Sequence, residues 1–259
     1  MPDIRPLLIF GASRGVGLEL VRLECAAGRH VIAPVRPQSD ATALEDTGAV
    51  ILRGDALSRD DVTSVLARII GDFDLVSTLG GQADDGRRAD DEGNINVIEA
   101  AMATGRTRRF LLVTSIGCGE MAPFRSARAI AAFGAAVDAK TRAEERLKSS
   151  GLDWTILRPG GLVSEPATRR GILIQDPEMH GFIHRADVAQ LAFRALRDPA
   201  TIGRAFAVVD AQRMNSVNTI PPFLWHNRAF RHEYRHSHDH SYVATGWRFL
   251  LELRQHGHA

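Results

Sequence analysis

Only two cysteines, Cys25 and Cys118, occur in 259 residues. They are too few for a disulfide framework, and a reducing compartment is the expected setting. No apolar run approaches the roughly 18 residues needed to cross a bilayer, so no integral membrane segment is expected. The short run Leu7–Phe10 follows the acidic Asp3 and is too short for a signal-peptide core; a cytoplasmic protein is expected. Charge of one sign is also lacking: 32 Lys and Arg against 31 Asp and Glu leave a formal net charge of +1. That balance gives no reason to expect a nucleic-acid partner. Tyrosine is as scarce as cysteine, with Tyr234 and Tyr242 alone, both near the C terminus.

What is present is an alternation of short apolar runs with longer helical patterns. Strands are expected at Leu7–Phe10, from residue 31, and at 49–52, 75–78, 110–114, 154–157 and 205–209. Helices are expected at 15–27, 61–70, 95–104, 129–149 and 186–196, with Gly151 as a stop signal after the long one. Such alternation predicts a doubly wound, parallel α/β sheet of Rossmann type, covered on both faces, with its ligand at the carboxyl ends of the strands. There is no internal repeat and no low-complexity linker. Composition shifts after residue 213: residues 214–259 hold seven of the ten histidines and seven of the sixteen aromatics. Forty-six residues are few for an independent core, so the reading is a domain over 1–213 followed by a short C-terminal extension.

Directly after the first strand comes Gly11-Ala12-Ser13-Arg14-Gly15-Val16-Gly17, and then a helix. Glycines permit the tight turn and let backbone amides approach a phosphate, while the helix N-terminus supplies orphan N–H groups and positive potential. The same residues fit the G-x-S-x-G elbow of hydrolases. That elbow needs strands and an oxyanion loop before it, and only ten residues precede this one. A dinucleotide is therefore expected. At the end of the second strand stands Arg36, where an NAD-specific sheet places an acid. A guanidinium pairs with a 2′-phosphate that a carboxylate would repel, and Arg14 lies within reach, so NADP(H) is the expected cofactor. Asp55, after the third strand, falls near the expected adenine, or simply shapes a turn.

These residues, together with Gly54-Asp55, Asn96-Val97-Ile98-Glu99-Ala100-Ala101, Phe110 to Gly117, Lys140-Thr141-Arg142-Ala143-Glu144, Ser150 to Gly161 and Arg185-Ala186-Asp187-Val188-Ala189, resemble the atypical short-chain dehydrogenases/reductases. The nearest groups are the NmrA-like NAD(P)-binding proteins and the biliverdin-IXβ/flavin reductase type. The resemblance runs from about residue 7 to 210. It implies that Gly11, Ser13, Arg14, Gly15, Val16, Gly17 and Arg36 bind phosphates and ribose, and that Asp55 and Ala56 meet the adenine. It places Leu79, Gly80 and Gly81 along the cofactor, Thr114 and Ser115 beside the nicotinamide, Lys140 near its ribose, and Pro159 and Gly160 against its carboxamide. Ser115 and Lys140 are the candidate catalytic residues, with a structural alternative for each: a hydroxyl satisfying backbone, and a lysine paired with Glu144 one turn on.

Tyrosine-dependent members use Tyr-x-x-x-Lys, the tyrosine donating a proton. Four residues before Lys140 stands Ala136, so that acid is missing. Two readings follow. One is a reductase whose small-molecule substrate (a flavin, quinone or tetrapyrrole-like conjugated acceptor) needs orientation more than a side-chain acid. The other is a non-catalytic NADP(H)-binding sensor or assembly factor. Asp187 is expected in a helix's first turn, where a carboxylate suits the dipole. His180, His184 and Arg185 are read as surface residues or as lining the substrate mouth. In the extension, His236, His238 and His240 would share one face of a strand, but no further ligand accompanies them and no metal site is expected. An apolar stripe of Trp247, Leu250 and Leu251 suits docking on the domain, on a second subunit as a homodimer, or on a membrane surface.

Overall fold

A computed structural model describes residues 5–226. The chain divides after Phe223, and the domain ends there. Tyr234, Tyr242, the clustered histidines and the Trp247 stripe lie outside the described residues.

The elements in chain order are β1 (Leu7–Phe10), α1 (Gly15–Ala26), β2 (Val31–Val35), the single turn α2 (Thr42–Glu45), β3 (Val50–Arg53), α3 (Arg59–Ala67), β4 (Phe73–Ser77), α4 (Asn94–Thr104), β5 (Thr107–Val113), α5 (Ala127–Lys148), β6 (Trp154–Pro159), β7 (Gly161–Val163), β8 (Gly171–Ile174), β9 (His180–His184), α6 (Arg185–Ala195), β10 (Arg204–Asp210) and β11 (Met214–Asn215). The main sheet has the order β3-β2-β1-β4-β5-β6-β10-β8. Every neighbouring pair in it is parallel except β10 with β8. The expected parallel sheet thus carries one antiparallel edge strand.

The local reasons are legible in the residues. All four side chains of β1 and all five of β2 and β4 are buried, as strands covered on both faces must be. α3 starts on Ser58, whose hydroxyl accepts from the Asp61 amide at 3.2 Å, with Asp60 and Asp61 in the first turn. α4 ends on Gly105 in the left-handed conformation (φ 61°). Just before α4 the chain makes a π-helical turn, Ala89–Gly93. One core layer, including Leu8, Val62, Leu66, Val97, Ile98, Phe110, Leu112, Ala143 and Leu147, binds the sheet to α3, α4 and α5. α1 and α6 pack together on the other face.

Two features depart from the sequence reading. The stretch 161–184, to which the sequence pattern assigns no element, holds three strands: β7 and β9 pair in parallel, β11 adds antiparallel to β9, and β8 joins the main sheet. Residues 214–223, grouped by composition with the C-terminal extension, join the domain: Met214 and Asn215 pair with Gly181 and His180, and the Phe223 amide donates to the Leu173 carbonyl at 2.8 Å.

Candidate functional site

The strand order reverses between β1 and β4. The crevice at the carboxyl ends of these two strands is where an open α/β sheet binds its ligand. β1 delivers the glycine loop to it and β4 delivers Thr78-Leu79-Gly80-Gly81. The three loop glycines have different reasons to be there. A methyl on Gly17 would sit 2.3 Å from the Gly11 carbonyl oxygen, and one on Gly11 would sit 2.5 Å from Thr78 Oγ1. These two close the turn against β4. Gly15, at φ 59°, is open: nothing but the stem of Arg185 approaches its missing side chain, at 3.7 Å. The first turn of α1 has no capping side chain. Ser13 and Arg14 make no side-chain hydrogen bond within the described residues, and Arg14 is exposed. Val16 is buried, so only its backbone can serve a ligand. The arrangement fits a dinucleotide pyrophosphate: an open glycine, unclaimed amides and an unclaimed cation at a helix start.

Beyond the loop lies a cleft of about 590 Å³ whose walls include Arg36, Gln38, Asp55, Leu57, Gln82 and Arg87. Arg36 is exposed, and its Nε donates only to Ser39 Oγ at 3.2 Å. Arg53 Nη1 donates to the carbonyls of Arg36 and Ser39 and fixes that turn. Asp55 accepts from the Leu57 amide at 3.0 Å, so it shapes its turn while also facing the cleft. Ala56 is buried, and its carbonyl accepts from Asn96 Nδ2. Asp84 and Asp85 lie on the same rim. Asp85 is held below the usual carboxylate range, first by hydrogen bonds from the Arg87 side chain and backbone.

At the other end the polar groups are spoken for. Thr114, just past β5, donates to Glu144 Oε1 at 2.6 Å. Glu144 is fully buried and takes Arg158 of β6 at 3.0 and 2.5 Å, and Arg158 also donates to Glu120 at 2.8 Å. Burial works against the Arg158 charge, but hydrogen bonds to Glu144 and Glu120 overcome it and raise its affinity for the proton. The hydrogen bond from Arg158 holds Glu120 down at about 2. Ser115 Oγ donates to the Ile116 carbonyl at 2.8 Å, the backbone alternative stated above. Cys118 is buried, which pushes its thiol up to about 11. Pro159 accepts from the Ile116 amide, and Gly160 is so tight against the Gly181 carbonyl (2.3 Å from an added methyl) that no side chain fits.

Lys140 does not pair with Glu144. Its Nζ sits 2.9 Å from Asp90 Oδ1 and donates to the Leu79 carbonyl at 3.2 Å. Asp90 is buried in the π-helical turn and also accepts from the Gly81 amide and from Arg88. The local i, i+4 rule loses because Glu144 is turned inward to Arg158. Asp90 thus fixes both the lysine and the backbone of Gly80 and Gly81. Sequence reasoning missed it; its only signal was the acidic run preceding Asn94. Ala136 occupies the place of the proton-donating tyrosine on α5, and no tyrosine lies among the described residues.

His184 was expected at the surface or the mouth, and the structure buries it. Its Nε2 lies 3.3 Å from Glu165, and Nδ1 has no hydrogen-bond partner, standing 3.6 Å from Asp187. Asp187 is in the first turn of α6 as expected and accepts from the amides of Thr168 and Arg169. His180 is exposed on β9. Among the described residues no group of acidic, histidine or cysteine side chains could hold a metal ion, and no helix is long and apolar enough to cross a membrane.

Fold and crevice together define a nicotinamide-dinucleotide-binding α/β domain. Residues 11–199 match the family described as NAD(P)H-binding, and the chain belongs to that family. It is similar to YhfK of Bacillus subtilis, an uncharacterized sugar epimerase, with 30% identity over 79% of this chain and 94% of that one. It is similar to the photosystem II assembly factor Ycf39 of Guillardia theta at 26% identity, covering 83% of this chain and 68% of the relative. Among solved structures it is similar to ChuY, an anaerobilin reductase from Escherichia coli O157:H7, at 39% identity and TM-score 0.72, over 80% of this chain and 97% of that one.

Proposed function

We propose that the protein is an NADPH-dependent oxidoreductase acting on a planar conjugated acceptor of the flavin, quinone or tetrapyrrole class. The observation that carries this reading is the reaction end itself. The family's lysine is held in place by Asp90 and Leu79, its tyrosine is replaced by Ala136, and the polar groups around Thr114 already have partners. When bound, NADPH would supply a hydride for an electron-poor carbon or nitrogen of the acceptor, with the proton coming from water; this suits a conjugated system and does not suit an unactivated ketone.

The chain's own residues orient the reactants. Ser13, Arg14 and the amides around Gly15 receive the phosphates, and Arg36 receives the 2′-phosphate. Lys140 offers a fixed cation beside Gly80. Beside Pro159 and Gly160, the exposed Phe182 ring lies over Gly161 with the Arg213 guanidinium 5.2 Å from its centroid, which gives a planar substrate an aromatic ring and a cation to lie against. Similarity to the anaerobilin reductase ChuY supports the same class. A second reading, a non-catalytic assembly factor, has the Ycf39 similarity and one structural observation in its favour: Ile130 and Phe133 stand exposed on the first turns of α5, a surface a protein partner would cover.

The test is fluorescence titration with NADPH and NADH, followed by NADPH oxidation at 340 nm with flavin, quinone and tetrapyrrole acceptors. Arg36→Ala is expected to weaken NADPH by about tenfold or more and to leave NADH unchanged. Binding without turnover on any acceptor class would favour the second reading, and no binding of either nucleotide would sink both.

A further inference from the structure

We infer that Arg185 is a cofactor residue that grips the pyrophosphate from the start of α6, opposite the glycine loop. The inference rests on the dinucleotide reading above and adds a contact from a second helix.

The first observation is the unequal surroundings of the loop glycines. Gly11 and Gly17 are closed by backbone and by Thr78, whereas Gly15 faces open space. In a dinucleotide fold the open glycine is the one the pyrophosphate approaches. The side chain that borders this space is Arg185, with Cδ and Nε each 3.7 Å from where a Gly15 methyl would stand. The second observation is how it gets there. Arg185 is the first residue of α6 and Gly15 the first of α1, and the two helices pack together. Two helix N-termini therefore converge beside the same space, each with positive potential at its end.

The third observation is what Arg185 lacks. The domain's half-buried and buried arginines mostly answer to carboxylates: Arg29 to Asp74, Arg158 to Glu144, Arg170 to Asp210, Arg197 to Glu24. Arg185 is half-buried and among the described residues bonds only the hydroxyl of Ser164, its Nη1 donating at 2.6 Å. The acid nearest in sequence, Asp187, is used on Thr168 and Arg169. A guanidinium with one neutral partner keeps donors for a doubly charged pyrophosphate, which it meets bidentately.

Ser164 adds a consequence. It opens the loop that leaves β7, the strand paired with the Phe182-bearing β9, for β8. The far end of that loop is held by Asp187, which accepts from the amide of Arg169, a non-glycine residue in the left-handed region at φ 59°. The first turn of α6 therefore grips the loop at both ends, and Arg185 touches cofactor space and loop at once.

The experiment is titration of the full chain with NADPH and with NADH, using Arg185→Gln, Arg185→Lys and Ser164→Ala. Arg185→Gln keeps the stem against Gly15 while removing the charge and the Nη1 contact with Ser164, and Ser164→Ala removes that contact alone. It is expected to weaken both nucleotides by the same factor, about tenfold, because both carry the pyrophosphate; Arg36→Ala affects NADPH alone. Arg185→Lys recovers part of the loss, and Ser164→Ala costs less than Arg185→Gln. Unchanged affinity in Arg185→Gln would overturn the inference. So would a loss confined to NADPH, which assigns Arg185 to the 2′-phosphate, or a Ser164→Ala loss as large as that of Arg185→Gln, which assigns the effect to the loop. Failure of the unsubstituted protein to bind either nucleotide would instead overturn the dinucleotide reading.

Discussion

At the proposed phosphate end, Ser13 and Arg14 have no side-chain hydrogen bond within the described residues, Arg36 reaches only Ser39, and the first turn of α1 is uncapped. At the proposed reaction end, Thr114, Glu144, Arg158 and Glu120 hold one another and Lys140 is held by Asp90, most of them buried. The contrast separates two tasks. A site that must attract a polyanion leaves its donors unclaimed, because each donor already bonded to protein would have to be freed first. A site that must only hold a ring in place is better closed, since closed polar circuits are rigid and offer no stray proton.

The largest expected effect comes from opening the closed end. Glu144→Ala removes the acceptor of Thr114 and leaves Arg158 with Glu120 alone; breaking a buried pair from one side costs about 3–5 kcal/mol. Calorimetry should show Tm falling on the order of 10 °C. A fall too small to measure would mean that the circuit is decorative.

A smaller effect belongs to its rim. Glu120 titrates at about 2 when folded, because Arg158 bonds its carboxylate, against 4.5 ordinarily. A folded value below the unfolded one means stability that is present above 4.5 and is lost as pH falls toward 2. Urea midpoints measured across that window should decline less steeply in Glu120→Gln than in the native chain. The side chain is 55% exposed, so solvent screening keeps the difference modest.

The smallest effect sharpens the comparison most. With its hydroxyl committed to the Ile116 carbonyl, Ser115→Ala should leave NADPH affinity and kcat/KM with the best acceptor unchanged. A loss of roughly tenfold or more would put that hydroxyl on the substrate and break the picture of a closed reaction end.

The features legible in the sequence were those set by local pattern. Leu7–Phe10 followed by Gly11 to Gly17 announced strand, turn and helix, and Val35-Arg36 announced the absence of an acid after β2. What escaped was set by distant contact. β7 and β8 have three and four residues, too few for a period to show, and β9 reads His-Gly-Phe-Ile-His, which has no clean alternation. Lys140 and Glu144 have i, i+4 spacing, though in the weaker order with the lysine first, and each takes its short contact outside α5, Lys140 with Asp90 and Glu144 with Arg158, while Glu144 stands 3.9 Å from Lys148. His184 looked like a loop residue because the strand that buries it could not be read.

The π-helical turn at Ala89–Gly93 has a consequence for how this protein can tolerate change in length. Such a turn carries one residue more than the α-helical turn it replaces. Deleting a single residue there would let α4 extend regularly backward and would swing the preceding side chain by about 100°. Asp90 would then leave both Lys140 and the Gly81 amide, although every residue that touches them were still encoded. Register at this one turn, as much as residue identity, keeps the lysine where it stands.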